Sequence, residues 1–418
     1  MIKYISGSVT APLGFTAAGL FCGVKSSPAP DGNQNPSSPK KIKKDLAMIL
    51  SECACAVAGV FTKNVVKADP IHVTRAHMAD GTLRGVVANS GNANACAPQG
   101  RENALRMADA AAKATGLAPA DFAVASTGVI GQTLNIAAIE SGVPTAVAAL
   151  SRDGGADAAR AIMTTDTFPK EVAVEVDLSG KTVTIGAIAK GSGMIHPNMG
   201  TMLCFVTTDC AVDSSLLQEM LLEITKKTFN RVTVDGDTST NDTCLVLANG
   251  MAGNAPLVKG TGDYEAFYQG LRAVCEHEAK MIATDGEGAG RLVTCTVEHA
   301  ATEEKAELMA KAVVGSNLVK AAMFGSDANW GRVLCAIGYS GAEFDPQRID
   351  VKFLSPAGDI LVCQRGAGLD FDEAQAKAIL TEKEVTILVT MDEGTASATC
   401  WGCDLTYEYV HINGDYRN

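Results

Sequence analysis

The run from Glu171 to Ile188 constrains the fold most. Glu171 to Asp177 alternates Glu, Ala and Glu with valines, the period-two pattern of a half-buried strand, and Thr182 to Ile188 repeats it beyond Leu178-Ser179-Gly180. Two such runs joined by a short glycine-bearing turn predict an antiparallel hairpin. Elsewhere the period changes. Ser214 to Thr228 has helical spacing, with a serine N-cap and with Lys226 and Lys227 in the last turn, where cations complement the dipole. Arg101 to Thr115 is an alanine-rich helix stopped by Gly116, and Tyr264 to Met281 and Glu303 to Val314 are further helices. Leu46 to Ile49 and Ala54 to Val60 are apolar and strand-like, and Thr395 to Ile412 reads as a closing alternating strand.

Strands and helices interspersed in this way define a mixed α/β class: a layered sandwich of sheets covered by helices. At 418 residues the chain exceeds one ordinary core. We divide it into a main domain of about 1–290 and a smaller C-terminal α/β domain of about 291–418.

Several function classes fall away. A net charge of -12 and a pI near 5.0 disfavour nucleic acid or an anionic membrane as partner. The basic run Lys40-Lys41-Ile42-Lys43-Lys44 follows the Pro/Ser-rich stretch Ser26 to Pro39, and both read as exposed loop. Thirteen cysteines, an odd number scattered singly through apolar segments, suit buried free thiols in a reducing compartment. The N-terminus has no targeting pattern and no segment reaches the roughly 18 apolar residues of a membrane span. A cytoplasmic location is the expectation.

Chemistry concentrates in Lys190 to Asp209, KGSGMIHPNMGTMLCFVTTD. The run leaves a strand, passes Gly191, Gly193, Pro197 and Gly200, and re-enters an apolar stretch. Glycine opens backbone angles closed to other residues and proline interrupts a ladder, so a sharp bend is expected just before Thr201. An ordinary strand-turn-strand fits these facts. So does a nucleophile. Attack of the Thr201 hydroxyl on the Gly200 carbonyl, an acyl shift from nitrogen to oxygen and hydrolysis of the ester would leave Thr201 as an N-terminus. Its α-amine, with an ordinary pKa of roughly 7.7–8.0, would then serve as the adjacent base that a threonine hydroxyl needs.

This segment resembles the signature of the ornithine acetyltransferase (glutamate N-acetyltransferase) family of arginine biosynthesis, approximately KGSGMI-x-PNMATML, with His196 at the variable position and Gly200 in place of the usual alanine. ANSGNANAC (Ala88 to Cys96), STGVIG (Ser126 to Gly131), MTTDTFPK (Met163 to Lys170), VDGDTSTND (Val234 to Asp242), Asp285 to Arg291 and SDANWGR (Ser326 to Arg332) resemble the same family in order. Ser26 to Pro39 reads as an insertion.

The resemblance implies cleavage between Gly200 and Thr201, giving an alpha chain 1–200 and a beta chain 201–418 that stay associated as a heterotetramer of two alpha and two beta chains. It implies Thr201 as nucleophile and Thr127 with Gly128 as oxyanion hole. Substrate contacts are implied at Thr164, Lys190, Thr201, Glu287 and Asn413, with Asn418 at the C-terminal contact position where the family has threonine or serine. Lys190 suits a substrate carboxylate and Glu287 a substrate ammonium group. The implied reaction is ping-pong transfer of acetyl from N2-acetyl-L-ornithine to L-glutamate, with acetyl-CoA as a further donor in some members. The alternative is an N-terminal-threonine amidase or aminopeptidase, in which water resolves the acyl-enzyme.

Other signals carry less. Cys400-Trp401-Gly402-Cys403 lies in a strand, where positions three apart face opposite sides, and no partner Cys/His pair of metal spacing lies nearby. His277-Glu278 begins like a zinc-protease helix but lacks the second histidine. Gly286, Gly288 and Gly290 fit neither dinucleotide nor phosphate-loop spacing, so neither cofactor nor metal is indicated. His196, close in sequence to Thr201, reads as a solvent-facing turn residue, the alternative being a neighbour that tunes the nucleophile.

Overall fold

A single long strand organises the first body of the protein. In the computed structural model, which describes residues 2–25, 43–196 and 202–414, the two apolar runs expected near residues 46 and 54 are one strand, Leu46–Phe61. Its ladder to the neighbouring strand shifts register between Leu50 and Cys55, the mark of a bulge that bends a strand and re-aims its side chains. Before the bulge Leu46 and Met48 face one core; after it Ala58 and Val60 face another.

Among the described residues nine strands form one sheet: β1 (Lys3–Ile5), β2 (Phe15–Leu20), β3 (Leu46–Phe61), β4 (Thr82–Asn92), β5 (Phe122–Val129), β6 (Lys170–Leu178), β7 (Lys181–Lys190), β8 (Leu203–Thr208) and β9 (Thr243–Ala248). They run in the order β1-β6-β7-β8-β9-β3-β4-β5, with β2 on the other side of β3. Because β3 bends, the sheet folds into two leaves. Phe205, Leu245 and Ile188 of one leaf meet Ile49, Val86 and Ala123 of the other in a shared inner core. The alternate residues face outward: Cys204, Val206 and Val246 pack under helices Ser214–Lys227 and Gly262–Thr284, whereas Val87, Phe122 and Val124 pack under Asp69–His77, Gly100–Thr115 and Ile136–Ala148. The result is helix, sheet, sheet, helix, the expected layered sandwich. Each large apolar side chain buried in it contributes roughly 1.5–3 kcal/mol.

The hairpin is β6 and β7, paired from Lys170↔Ala189 to Leu178↔Lys181. Its turn residues Ser179 and Gly180 both have positive φ, 53° and 84°, as a two-residue hairpin turn demands. Gly116 caps the alanine-rich helix in the left-handed region at φ 76°.

A second sheet takes over at Leu292. Its strands β10 (Leu292–Ala300), β11 (Asp350–Ser355), β12 (Gly358–Gln364), β13 (Ala367–Gly368), β14 (Glu384–Thr390) and β15 (Ala396–Cys403) run in the order β13-β12-β11-β14-β10-β15. Helices Glu303–Gly315, Asn317–Phe324, Trp330–Gly338 and Glu373–Thr381 share its core.

Two local expectations need correction. The cap of helix Ser214–Lys227 is Asp213, whose carboxylate accepts the Ser215 N–H at 2.9 Å; it reaches the free N–H groups from one residue earlier than the serine. The closing strand ends at Cys403. Asp404 turns the chain by accepting the N–H groups of Gly290 and Arg291 at 2.7 and 3.2 Å, and a helix, Tyr407–Gly414, follows.

Candidate active site

The cleft forms where strands of both leaves end. Lys190 is the last residue of β7 and pairs with Leu203, the first of β8. Facing them from the other leaf is the end of β5, where Thr127 and Gly128 lie beside an irregular ladder: Asn92 of β4 registers with both Thr127 and Val129. Gly128 has φ 134°, and a Cβ there would stand 2.4 Å from the Gly91 carbonyl carbon. Glycine alone fits, and the strand end bends.

Polar side chains hold that bend. Ser126 donates its hydroxyl to Asn89 Oδ1 at 2.7 Å, and Asn89 donates through Nδ2 to the Asn92 carbonyl at 3.0 Å. Asn241 donates Nδ2 to the Ala93 and Ser126 carbonyls at 2.6 and 2.7 Å, tying the loop ahead of β9 to the ends of β4 and β5. The asparagine-rich ANSGNAN run is thus a scaffold behind the cleft. Buried polar groups stay this ordered only when paired.

Lys190 is buried, and its ammonium lies 3.4 Å from the Thr127 hydroxyl. Burial pushes its pKa down, while the Asp166 carboxylate opposes that shift. Burial also resists ionisation of Asp166, but the charges of Lys190 and Lys170 outweigh it and hold that carboxyl well below the usual range. Lys170, itself fully buried, bridges Asp166 at 2.7 Å and Asp285 at 2.6 Å. The backbone leaving β7 is pinned by carboxylates. The Gly191 N–H donates to Asp166 at 2.8 Å, and Met194 and Ile195 donate to Asp235 at 2.6 and 2.8 Å. Ser192 adds a bond from its hydroxyl to the Asp285 carbonyl at 2.7 Å.

Glu287 forms the opposite wall. Its N–H donates to the Ser192 carbonyl at 2.9 Å, and its carboxylate accepts Asn413 Nδ2 at 2.7 Å. A Cβ on Gly193 would lie 2.3 Å from the Glu287 carboxyl carbon, so Gly193 gives the carboxylate its place. Asn413 comes from helix Tyr407–Gly414, which is anchored by the Thr406 hydroxyl on the Gly288 carbonyl at 2.7 Å. Thr164 enters through the Asp166 carboxylate, which accepts its N–H at 2.9 Å.

One cleft therefore gathers Thr127, Gly128, Thr164, Lys190, Glu287 and Asn413, with Met202 and Asp242 also in its wall. Gly200, Thr201 and Asn418 lie outside the described residues. His196 is half-buried instead of facing solvent: its Nδ1 is 3.0 Å from the Thr233 hydroxyl. Cys400 faces the second core and Cys403 the first, on opposite sides of β15. Sequence reasoning assigned no role to Asp166, Lys170, Asn241, Asp242 or Asp285. They sit in or beside segments whose resemblance was noted, and the signal was charge and amide packed between apolar strands.

A buried ammonium and a buried carboxylate facing each other beside a glycine-bent threonine, between the leaves of an α/β sandwich, mark an enzyme with a small polar active site. The chain belongs to the ArgJ family, whose sequence pattern matches residues 34–418. It is 54% identical over 417 residues to the arginine biosynthesis bifunctional protein ArgJ of Symbiobacterium thermophilum, covering 100% of both chains. With the protein of the same name from Caldanaerobacter subterraneus subsp. tengcongensis it shares 46% over 417 residues, again 100% of both. Among solved structures it resembles ornithine acetyltransferase of Mycobacterium tuberculosis complexed with ornithine, at 38% identity over 48% of this chain and 100% of that one, with a TM-score of 0.41. The family recognised from the motifs is the family found, and the chain is an acetyl-transferring enzyme of arginine biosynthesis. Among the described residues no helix is long and apolar enough to cross a membrane.

Proposed function

We propose that the enzyme cuts itself between Gly200 and Thr201 and then moves the acetyl group of N2-acetyl-L-ornithine to L-glutamate through an acetyl-Thr201 ester. The observation that carries this reading is the convergence of Thr127, Gly128, Thr164, Lys190, Glu287 and Asn413 on the cleft that Met202, next in sequence to Thr201, also lines. Lys190 and Glu287 supply opposite charges for the two ends of an amino acid. Thr127 and the N–H at Gly128 face the site as donors for a developing oxyanion, each typically worth about 2.7–4 kcal/mol at the transition state. The freed α-amine of Thr201 takes the hydroxyl proton and returns it to the departing amine.

In this reading the first half-reaction releases L-ornithine, and glutamate then attacks the ester to give N-acetyl-L-glutamate. The relatives' name, bifunctional protein, supports acetyl-CoA as a second donor. Its test is acetyl-glutamate formed from acetyl-CoA and glutamate alone. No cofactor enters the scheme. The fragments 1–200 and 201–418 remain together, two of each per assembly, in the cytoplasm, and the body of about 1–290 carries most of the site while that of about 291–418 contributes Asn413 to it. An amidase working by the same chemistry would release acetate equally fast with and without glutamate.

Intact mass tests the reading most directly. Active protein is expected as two pieces joining at Gly200/Thr201, and Thr201→Ala as one inert chain. Active protein in one piece would refute it.

A further inference from the structure

Thr164 and Lys190 line the cleft, but the carboxylate that holds them stands behind it. The Asp166 side chain is fully buried, and both of its oxygens are engaged. Oδ1 accepts the Gly191 N–H at 2.8 Å and the Lys170 ammonium at 2.7 Å, and Oδ2 accepts the Thr164 N–H at 2.9 Å. One oxygen thus fixes the backbone directly after Lys190, and the other fixes Thr164. A buried carboxylate is costly unless it is paired and hydrogen-bonded. This one is satisfied by groups from two separate walls of the cleft.

A second carboxylate braces the first. Lys170 reaches on to Asp285 at 2.6 Å, and Asp285 accepts the Thr167 N–H at 3.0 Å while its carbonyl takes the Ser192 hydroxyl at 2.7 Å. Segments 164–170, 190–192 and 285–287, each carrying one of the expected substrate contacts, are therefore locked to a single buried unit. Charge adds a further link. Around the Lys190 ammonium, Asp166, Glu287 and Asp242 attract, while Lys170 and Lys25, from the loop after β2, repel. Asp166 is the strongest of the attracting groups and opposes the loss of charge that burial favours.

We propose that Asp166 is a positioning residue for acetyl transfer: it holds Thr164 and Lys190 in one geometry, with the ammonium charged and in place before a substrate carboxylate arrives. This rests on the reading of Lys190 as the partner of that carboxylate. Groups set in advance lose little freedom when substrate binds, and small displacements of such groups are felt strongly.

Asp166→Asn separates positioning from folding. It keeps the size and leaves Lys170 paired with Asp285, but an amide has one acceptor oxygen and cannot serve Thr164 and Gly191 together. In steady-state kinetics with N2-acetyl-L-ornithine its KM should rise about tenfold or more, the weight of one charged hydrogen bond, with kcat little changed. The rise of KM in alkali should also begin at lower pH, because Lys190 without its facing carboxylate gives up its proton sooner. Asp166→Glu should restore part of both. A fall in kcat alone, as a merely structural loss of active enzyme would give, or an unmoved KM profile overturns the inference. Lys190→Met is the control, and an unchanged KM there sinks the reading of Lys190 instead. Should D166N fail to fold or to mature, calorimetry of L-ornithine binding to the unsubstituted enzyme, at neutral pH in buffers of different ionisation enthalpy, still decides. No proton uptake is expected; uptake of one proton per site would mean a neutral Lys190 in the empty cleft and overturns the inference as well.

Discussion

Glu278 offers a clean measurement of what the interior does to a charge. It lies on helix Gly262–Thr284, is fully buried, and neither carboxylate oxygen has a hydrogen-bond partner among the described residues. Burial pushes its pKa from the usual 4.5 up to about 8, against the pull of the Lys170 ammonium. Below pH 4.5 folded and unfolded chains both carry the proton. Above it the unfolded chain releases the proton while the fold keeps it to about pH 8, so stability falls as pH rises through that window. Each pH step costs about 1.4 kcal/mol, which amounts to roughly 3 kcal/mol at neutral pH. Glu278→Gln keeps the shape of the protonated acid and cannot ionise. It should match its parent in acid and exceed it by roughly 3 kcal/mol at neutrality. Urea unfolding at a series of pH values reads this directly, with both proteins in a Thr201→Ala background so that each unfolds as one chain. Parallel pH profiles for the two would refute the reasoning, because they would mean that the carboxylate is ionised in the fold and balanced by Lys170.

Two further substitutions separate fold from site. Gly193→Ala should leave the fold intact, because the added methyl meets the movable end of Glu287, yet displacing that carboxylate should raise KM for the amino-acid substrates about tenfold or more, the worth of one charged hydrogen bond; an unchanged KM in steady-state kinetics would remove Glu287 from substrate binding. Lys170→Met leaves Asp166 and Asp285 facing each other without their bridge, and breaking a buried pair of this kind costs about 3–5 kcal/mol, which thermal unfolding should report as a large fall in Tm.

The sequence displayed its hairpin because Ser179-Gly180 and the valine alternation are local signals, and its helices because their ends carry caps. It hid the two leaves. Nothing in Leu46 to Phe61 says that the strand is continuous, since the bulge after Leu50 interrupts the alternation and looks like a loop. The C-terminal helix was hidden for a related reason: Asp404 stops β15 by binding backbone more than a hundred residues away. At the site, residues with distinctive neighbours in sequence, such as Thr127-Gly128 and Lys190, were legible through motif resemblance. Lys170 and Asp285 were not, because their meaning lies in a contact between segments far apart in the chain.

The strand order governs how the protein would respond to a break at Gly200. Strands β1 to β7 precede that bond and β8 onward come after it, yet β8 and β9 are threaded between β7 and β3. The later piece is thus clasped on both flanks, by the ladder from Ile185↔Thr208 to Lys190↔Leu203 and by that from Ala56↔Ala248 to Phe61↔Thr243. Losing one covalent link changes the chemistry of an end without loosening the weave, so the severed halves can come apart only by unravelling the sheet from its middle.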